Sequence, residues 1–576
     1  MSRDLNNSAV GPTWTQRIGF WLGLALFIGL LAVSPPTSMH RAARLHFRTE
    51  LAADVNRMLA RAGTPDAPPE SAEYQAVEDR AVQARARIMM GAAAVTALVA
   101  CWWITVAVPI PVTSLLPLLL LPLVGVLPVR QAAVPYADAN VFLFMGGFVI
   151  ALGVERWGLH RRIALHIVRI VGTGRSTIVL GFMIASAVLS MWISNTATTL
   201  MMLPIGLAVI GALADLTPQD GPRPRANFAA ALMLGIAYAA SVGGVGTPIG
   251  TPPNISFRGQ LARLYPAAPE ISFGQWLLLL LPLVCVFVPV IWLVLVRITC
   301  PVGRGGLRAG REVIRQQLAA LGPMRRPEIT MLIVFVATAL LWITRSIPLG
   351  EDANCGWAAL LEGWLAPADG SPSRFNAAFI NDATVALLMA VLMFAIPAGR
   401  DAEGTPQRLM NWETATRLPW GILLLFGGGF AIAAGLRGSG LSLWCGQVFA
   451  EMDLHNPLLL VPGVCLLMTF LTEMTSNTAT TEVMLPIVAN VGQALGYHPL
   501  LLMLPATISA SCAFMLPVAT PPNAIVFGSG QVEMGRMVRT GLILNLIGVV
   551  LVTAVIYFLV QPVLGIDLRE LPDWAR

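Results

Sequence analysis

One polar octapeptide occurs twice in this chain, and each time it interrupts an apolar run. Trp192-Ile193-Ser194-Asn195-Thr196-Ala197-Thr198-Thr199 returns as Met474-Thr475-Ser476-Asn477-Thr478-Ala479-Thr480-Thr481, and both continue to Met-Leu-Pro-Ile at 202–205 and 484–487. Ser194 and Ser476 stand 282 positions apart. So do Phe148 and Phe430, in the upstream pair Phe144-Met145-Gly146-Gly147-Phe148 and Phe426-Gly427-Gly428-Gly429-Phe430. Downstream, Gly250-Thr251-Pro252-Pro253-Asn254 pairs with Ala519-Thr520-Pro521-Pro522-Asn523 at an offset of 269, and the first half carries an extra polar loop around 215–225 that accounts for the difference. Three paired motifs in one order make this an internal repeat.

The setting is a membrane. Apolar runs such as 277–296, 329–343 and 541–560 reach or approach the ~20 residues that cross a hydrocarbon core. Charged residues are 12% of the chain, about half of the roughly 25% usual in soluble proteins. The run Ile18–Val33 ends in Ser34-Pro35-Pro36 without a small-residue cleavage pattern, which reads as a retained first helix. A polar stretch follows at 37–87, with helical patterning around 45–60 and 72–86, and reads as a solvated extramembrane insertion. Ten further spans are expected at 88–108, 113–128, 140–156, 226–242, 276–298, 329–347, 377–397, 417–436, 499–517 and 539–561, which gives eleven crossings with the first helix. The interrupted segments 177–213 and 457–495 read as re-entrant hairpins.

Five spans separate the two hairpins, an odd number, so the second copy is expected upside down relative to the first. The basic residues are all Arg, and the net charge of +6 is spread over short loops rather than gathered as a nucleic-acid footprint. Arg156, Arg161, Arg162, Arg169, Arg175, Arg223 and Arg225 fall on one side with Arg297, Arg304, Arg308, Arg311, Arg315, Arg325 and Arg326; the acid-containing loop 351–369 and the tail with Asp567, Glu570 and Asp573 fall on the other. The positive-inside rule then places the N-terminus in the cytoplasm and the C-terminus outside, with the long, mixed-charge insertion weighing little.

Irregular backbone at membrane depth is tolerated where it is buried in protein or lines a wet cavity. After each Ser-Asn-Thr break a half-helix begins, and its free N–H groups and positive dipole end favour an anion. The preceding half-helix ends in free carbonyls, which suit a hard cation. In the Thr-Pro-Pro-Asn runs, paired prolines remove donors and stop the helix, leaving further carbonyls unpaired. A single Ser-Asn-Thr is more simply helix-to-helix glue; two copies, each matched by a Pro-Pro break, outweigh that reading. No Arg or His lies in either tip, so an oxyanion taken there needs other compensation, and bound sodium ions provide it. Glu473 and Glu482 flank the second motif where the first has Met191 and Leu200, and their role is left open. The seven cysteines form no Cys-x-x-Cys pair and read as packing residues. An intramembrane hydrolase with a Ser nucleophile needs a nearby base, and none of the six histidines (40, 46, 160, 166, 455, 498) adjoins a Ser-Asn-Thr motif. A purely structural or signalling role would not require duplicated broken helices.

The paired Ser-Asn-Thr and Thr-Pro-Pro-Asn motifs, the run Cys512–Ile525 and the stretch from Trp103 to Pro117 resemble the divalent anion/sodium symporter family over roughly residues 88–565. Many members carry an acidic residue where this chain has Val106. The resemblance implies an all-α polytopic membrane protein of about eleven transmembrane helices plus two re-entrant hairpins in an inverted repeat. It implies a homodimer in the inner (plasma) membrane, surrounded by lipid, with a scaffold and a mobile transport domain working as an elevator. The implied organisation is an N-terminal region and first helix (1–36), the insertion (37–87), scaffold helices (88–139), a first repeat (140–328, hairpin 177–213, broken helix 226–260), scaffold helices and loop (329–416) and a second repeat (417–576, hairpin 457–495, broken helix 499–530).

Carried over residue by residue, the resemblance implies one sodium held by Ser190, Ser194, Asn195 and Gly250 and a second by Thr472, Thr475, Asn477 and Ala519. It places substrate carboxylates on Asn195, Thr196, Asn477 and Thr478, with Thr520 and Pro521 nearby. The implied activity is secondary transport, not enzymatic catalysis: sodium-coupled import of C4 dicarboxylates such as succinate, malate or fumarate, with Na+ as the co-transported ion. A citrate or sulfate carrier and a sodium-independent dicarboxylate exchanger are the alternatives.

Overall fold

The computed structural model describes residues 13–62, 64–65, 67–172, 174–216, 221–302, 308–347, 355–366, 376–400, 404–450 and 456–575. Arg304 and, in the acid-containing loop 351–369, residues 351–354 and 367–369 lie outside the described residues. Apart from a two-stranded ribbon, Pro397–Arg400 with Pro406–Arg408, the described elements are helices.

Among the described residues nine helices are long and apolar enough to cross a membrane, by length and composition. Eight answer to expected spans, and the ninth, Asn195–Ala212, is an arm of the first hairpin. The other three expected spans, 113–128, 377–397 and 499–517, are present as shorter apolar helices within Ile110–Leu123, Asp382–Ala395 and Leu500–Ala510. Proline accounts for the first of these. Pro109 and Pro117 each start a short helix, Ile110–Thr113 and Leu116–Leu123, where the missing N–H costs nothing.

The insertion packs one face on the rest of the chain. Thr37–His46 and Arg48–Ala62 pack on a 34-residue helix, Ala72–Thr105, which runs unbroken through the expected boundary at 87. From Ala72 to Met90 there is neither Gly nor Pro and much Ala, Arg, Glu and Gln, so nothing interrupts the hydrogen-bond ladder where hydropathy changes. Met39, Ala43, Leu51, Val55 and Leu59 are buried in a core with Val77, Val82 and Met89, and Asp54 takes two hydrogen bonds from Arg85 (3.0 and 2.8 Å). Trp444 donates to Ser38 (3.0 Å), which ties the insertion to the second half of the chain. The long helix ends at Val106, which caps it in the left-handed region (φ 50°), a costly conformation for a β-branched residue.

The repeat is legible in the packing. In each half a glycine-rich helix (Ala139–Arg156; Trp420–Ser439) leads into a short helix that begins at Leu159 in one half and Leu441 in the other. A hairpin follows (Arg175–Ser190 with Asn195–Leu216; Pro457–Met474 with Asn477–Ala494), then a broken helix (Pro222–Val245 with Pro252–Leu264; Leu500–Ala510 with Pro521–Gly528). The halves interlock crosswise. The second arm of the first hairpin packs on Pro521–Gly528, and the second arm of the second hairpin packs on Pro252–Leu264. Phe144 meets Phe426, its own repeat counterpart, edge to face with ring centroids 5.2 Å apart. A residue touching its own equivalent must lie near the axis that relates the two halves.

The Arg162 guanidinium bonds both oxygens of the buried Glu328 (2.5 and 3.1 Å) and the Gly322 carbonyl (2.9 Å). Arg258 and Arg345 hold Glu270 and Asp382 in a four-membered charge cluster, with contacts of 2.6 to 3.1 Å. Cys300, Cys465 and Cys512 are buried, and all seven cysteines are unpaired thiols. His160 and His498 are buried away from the hairpin tips. Burial against Trp574 pushes the His498 imidazole down to about 4.

Candidate functional site

Each hairpin stops for the same local reason. The first arm ends at Ser190, and after four intervening residues the chain re-enters a helix at Asn195; the second arm pair breaks at Thr475 and Ser476. Across the first gap Ser190 Oγ donates to Asn195 Oδ1 (2.6 Å), and across the second Thr472 Oγ1 donates to Asn477 Oδ1 (2.6 Å). The match continues one turn on, where Thr199 and Thr481 return hydrogen bonds to the carbonyls of Asn195 and Asn477 (2.8 and 2.7 Å). The two tips therefore carry one hydrogen-bond pattern, laid out twice.

The broken helices match equally well. Asn254 Nδ2 donates to the carbonyls of Gly244 (3.1 Å) and Thr247 (2.7 Å), and also to Val245 (3.2 Å). Asn523 Nδ2 donates to Ala513 (3.1 Å) and Leu516 (3.0 Å), the positions 269 further on from Gly244 and Thr247. The Asn that ends each Pro-Pro run is thus the clamp that ties an unwound segment onto the half-helix after it. The sequence reading quoted both runs but did not single out Asn254 or Asn523. The available signal was an amide placed directly after two prolines in both copies. Both Oδ1 atoms are buried without a protein partner.

The structure brings Ser190, Asn195 and Gly250 together in the first half. A Cβ on Gly244 would lie 2.5 Å from Asn195 Oδ1 and 3.1 Å from the Gly250 carbonyl, so hairpin tip and unwound segment converge at this glycine. Thr247 fastens them with a hydrogen bond to the Met191 carbonyl. In the second half Thr472, bonded to Asn477, also donates to the Ala510 carbonyl (3.1 Å), while Thr475 turns to Thr480 and to the Leu471 carbonyl (2.7 Å). Ser194 caps the start of its half-helix through Ala197 N (3.3 Å), and Thr520 caps the Pro521 helix through Asn523 N (3.3 Å). Asn195, Thr196 and Asn477 are half-buried and Pro521 is exposed, while Gly250, Thr478, Ala519 and Thr520 are buried.

Glu473, left open by the sequence, has a structural task. Oε1 accepts from Phe514 N (2.7 Å), Met515 N (2.9 Å) and Asn545 Nδ2 (2.8 Å), and Oε2 accepts from Leu516 N (3.0 Å). The carboxylate therefore satisfies three backbone donors that the second unwound segment leaves free. Glu482 is placed differently, fully buried and hydrogen-bonded through Oε2 to Gln260 Nε2 of the first repeat (2.6 Å).

A Cβ on Gly250 would come within 2.4 Å of the Gly244 carbonyl, against backbone that cannot step aside. Gly250→Ala is therefore expected to spread the first unwound segment at a cost of roughly 1.4 kcal/mol or more of strain, which weakens any ligand held there by about tenfold or more. The unfolding midpoint and ligand affinity of the purified variant check this. The equivalent Ala519→Gly is expected to be mild, because the second copy already accommodates a methyl group at that position.

Comparison with known proteins adds the following. The model of the family described as the sodium:sulfate symporter transmembrane region matches residues 82–566. The sodium-dependent dicarboxylate transporter SdcS of Staphylococcus saprophyticus is 43% identical over 478 residues, 83% of this chain and 87% of that protein. SdcS of Staphylococcus aureus (strain bovine RF122) is 41% identical over the same extent. The crystal structure of the Alcanivorax borkumensis YdaH transporter aligns with a TM-score of 0.49 and 15% identity, over 76% of this chain and 87% of that one.

Proposed function

The chain belongs to the sodium:sulfate symporter transmembrane family, and from that premise we propose that it imports C4 dicarboxylates together with sodium ions across the plasma membrane. It is a multi-pass transporter, not an enzyme, and Na+ is its co-transported ion. Succinate, malate and fumarate are the substrates that two matched tips fit, one carboxylate at each dipole end.

The observation that carries this reading is the duplicated site itself. Two Asn amides, each held by a hydroxyl one turn back, sit beside two unwound segments, and neither tip contains Arg or His. Ser190, Ser194, Asn195 and Gly250 hold one sodium, and Thr472, Thr475, Asn477 and Ala519 hold the second. Asn195, Thr196, Asn477 and Thr478, with Thr520 and Pro521, take the carboxylates. The sodium ions supply the positive charge that the protein lacks there, which makes coupling obligatory rather than incidental.

Transport proceeds by an elevator motion. The hairpins and broken helices move as one unit against the long helix Ala72–Thr105 and the helices Arg326–Ile343 and Asp382–Ala395, in a homodimer with cytoplasmic N-termini and external C-termini. The crosswise interlock of hairpins and half-helices supports a single moving unit.

In proteoliposomes with an inward sodium gradient, labelled succinate is expected to accumulate, to stop doing so when choline replaces sodium, and to be displaced by malate and fumarate but not by sulfate. Uptake indifferent to sodium, or displaced by citrate or sulfate as well as by malate, would overturn the reading. Sodium and succinate together are expected to raise the thermal unfolding midpoint more than either alone, because a ligand that binds only the folded state stabilises it by mass action.

A further inference from the structure

Glu482 is fully buried, in the second arm of the second hairpin, and faces the first repeat. Its Oε2 lies against the backbone of Gly429, where even a Cβ would fall 2.0 Å away, and accepts from Gln260 Nε2 at 2.6 Å. Its Oε1 has no partner. Two more unpartnered buried oxygens belong to the same group, Gln260 Oε1 and Ser256 Oγ, one helical turn apart on Pro252–Leu264. The Ser256 hydroxyl lies close enough to act on this carboxylate without making a well-formed hydrogen bond to it.

Among the described residues Glu482 has no ion-pair partner in contact. On the half-helix Pro252–Leu264, Arg258 is engaged with Glu270 and Asp382, and Arg263 with Asp138 (2.8 Å). Arg263 is the charged group whose field reaches Glu482. On Trp420–Ser439 the charged residue is Arg437, spent on the Arg263 carbonyl. The first arm of the second hairpin, Pro457–Met474, brings Glu473, itself clasped by backbone amides, and Cys465. Leu500–Ala510 brings no titratable side chain, Leu441–Ala450 brings Cys445, and residues 88–105 of the long helix bring Cys101.

We propose that Glu482, with Gln260 and Ser256, is a proton-binding site that gates the conformational cycle. A dry carboxylate without a cation in contact carries a high desolvation cost, and adding a proton from water at Oε1 removes the charge. The same proton adds a second donor to a group of three unpartnered oxygens whose other O–H is the Ser256 hydroxyl. The close approach of Gly429 leaves the Oε2 side no space for a metal ion. The location gives the site its leverage. Glu482 and Gln260 belong to the moving unit and Gly429 to the glycine-rich helix Trp420–Ser439 packed against it, so the proton is held tightly only in this packing. This inference rests on the transport reading above.

The sign follows directly. The neutral acid is compatible with the packed interface and the charged form is not, so uptake is expected to fall as pH rises through the titration of Glu482. The protonated fraction drops about tenfold per pH unit beyond that point. The test measures sodium-driven succinate uptake in proteoliposomes from about pH 7 upward, where succinate is fully dianionic, at saturating and limiting sodium. Wild type is expected to show the alkaline loss at both sodium levels. Glu482→Gln, which carries a permanent neutral amide, is expected to keep its neutral-pH rate into the alkaline range. Gln260→Leu removes the donor to the charged form and is expected to move the loss to higher pH, so it decides the matter even if Glu482→Gln fails to assemble. Identical pH profiles in wild type and both variants would overturn the proposal. So would an alkaline loss abolished by saturating sodium, which would make the site a sodium site. Absence of sodium-dependent uptake in wild type at every pH would instead count against the transport reading.

Discussion

Asn195→Ala and Asn477→Ala are each expected to reduce sodium-driven succinate uptake by about 30-fold or more, while the protein elutes from size exclusion as the parent does. The size follows from what each amide is placed to do. Asn195 and Asn477 open the second arms of the two hairpins, each anchored by a hydroxyl at 2.6 Å and half-buried at the tip. A hydrogen bond to a charged ligand contributes about 1.5–3 kcal/mol, and 1.4 kcal/mol is tenfold in affinity. An amide that touches both a sodium ion and a carboxylate loses two such contacts when truncated. Alanine loses the bonds across the gaps to Ser190 and Thr472 but keeps the backbone carbonyls that Thr199 and Thr481 bond, so the second arms still start in place and assembly is expected to be spared. The double variant is expected to be no worse than either single one, since one lost half-site already leaves the ion and anion uncompensated. Uptake at the parental rate in either single variant would remove the hairpin tips from the site.

The parts of this molecule written in local sequence are those where polarity interrupts an apolar run. The Ser-Asn-Thr tips, the Pro-Pro breaks and the offset of 282 could be read residue by residue, because a helix terminus at membrane depth demands polar atoms at that place in the chain. What could not be read depends on which segments meet. Gly250 is small because the Gly244 carbonyl comes close to it, and its counterpart Ala519 shows that the repeat alone does not require glycine there. Glu473 and Glu482 lie nine residues apart and look alike as charges in an apolar segment. Their partners, Phe514 to Leu516 and Gln260, lie 41 and 222 positions away, and only the packing separates the backbone clasp at Glu473 from the side-chain contact at Glu482. The boundary at 87 failed for a different reason. Hydropathy changes there, but the hydrogen bonds of Ala72–Thr105 depend on backbone continuity and not on polarity.

Glu473→Ala is expected to be the most destabilising substitution in the second repeat. One carboxylate accepts from Phe514 N, Met515 N, Leu516 N and Asn545 Nδ2, all within 3.0 Å, and the side chain is buried. Removing it strands four donors, and each unsatisfied buried donor costs about 1–3 kcal/mol. Even at the low end the sum approaches the total stability of many folded domains, which is about 5–15 kcal/mol. The protein is therefore expected to aggregate on extraction, or to show a large drop in its unfolding midpoint in detergent. Glu473→Gln separates charge from shape. Its amide keeps one acceptor oxygen but turns an N–H group toward a backbone donor, so it is expected to be milder than alanine and still clearly destabilised. The same clasp orients the segment between Leu500–Ala510 and Pro521–Gly528, so whatever Glu473→Gln protein survives is expected to need more sodium for half-maximal uptake. A Glu473→Gln protein with parental stability and parental sodium dependence would mean that the three amides find another acceptor, and that this buried charge is not what holds the second unwound segment in place.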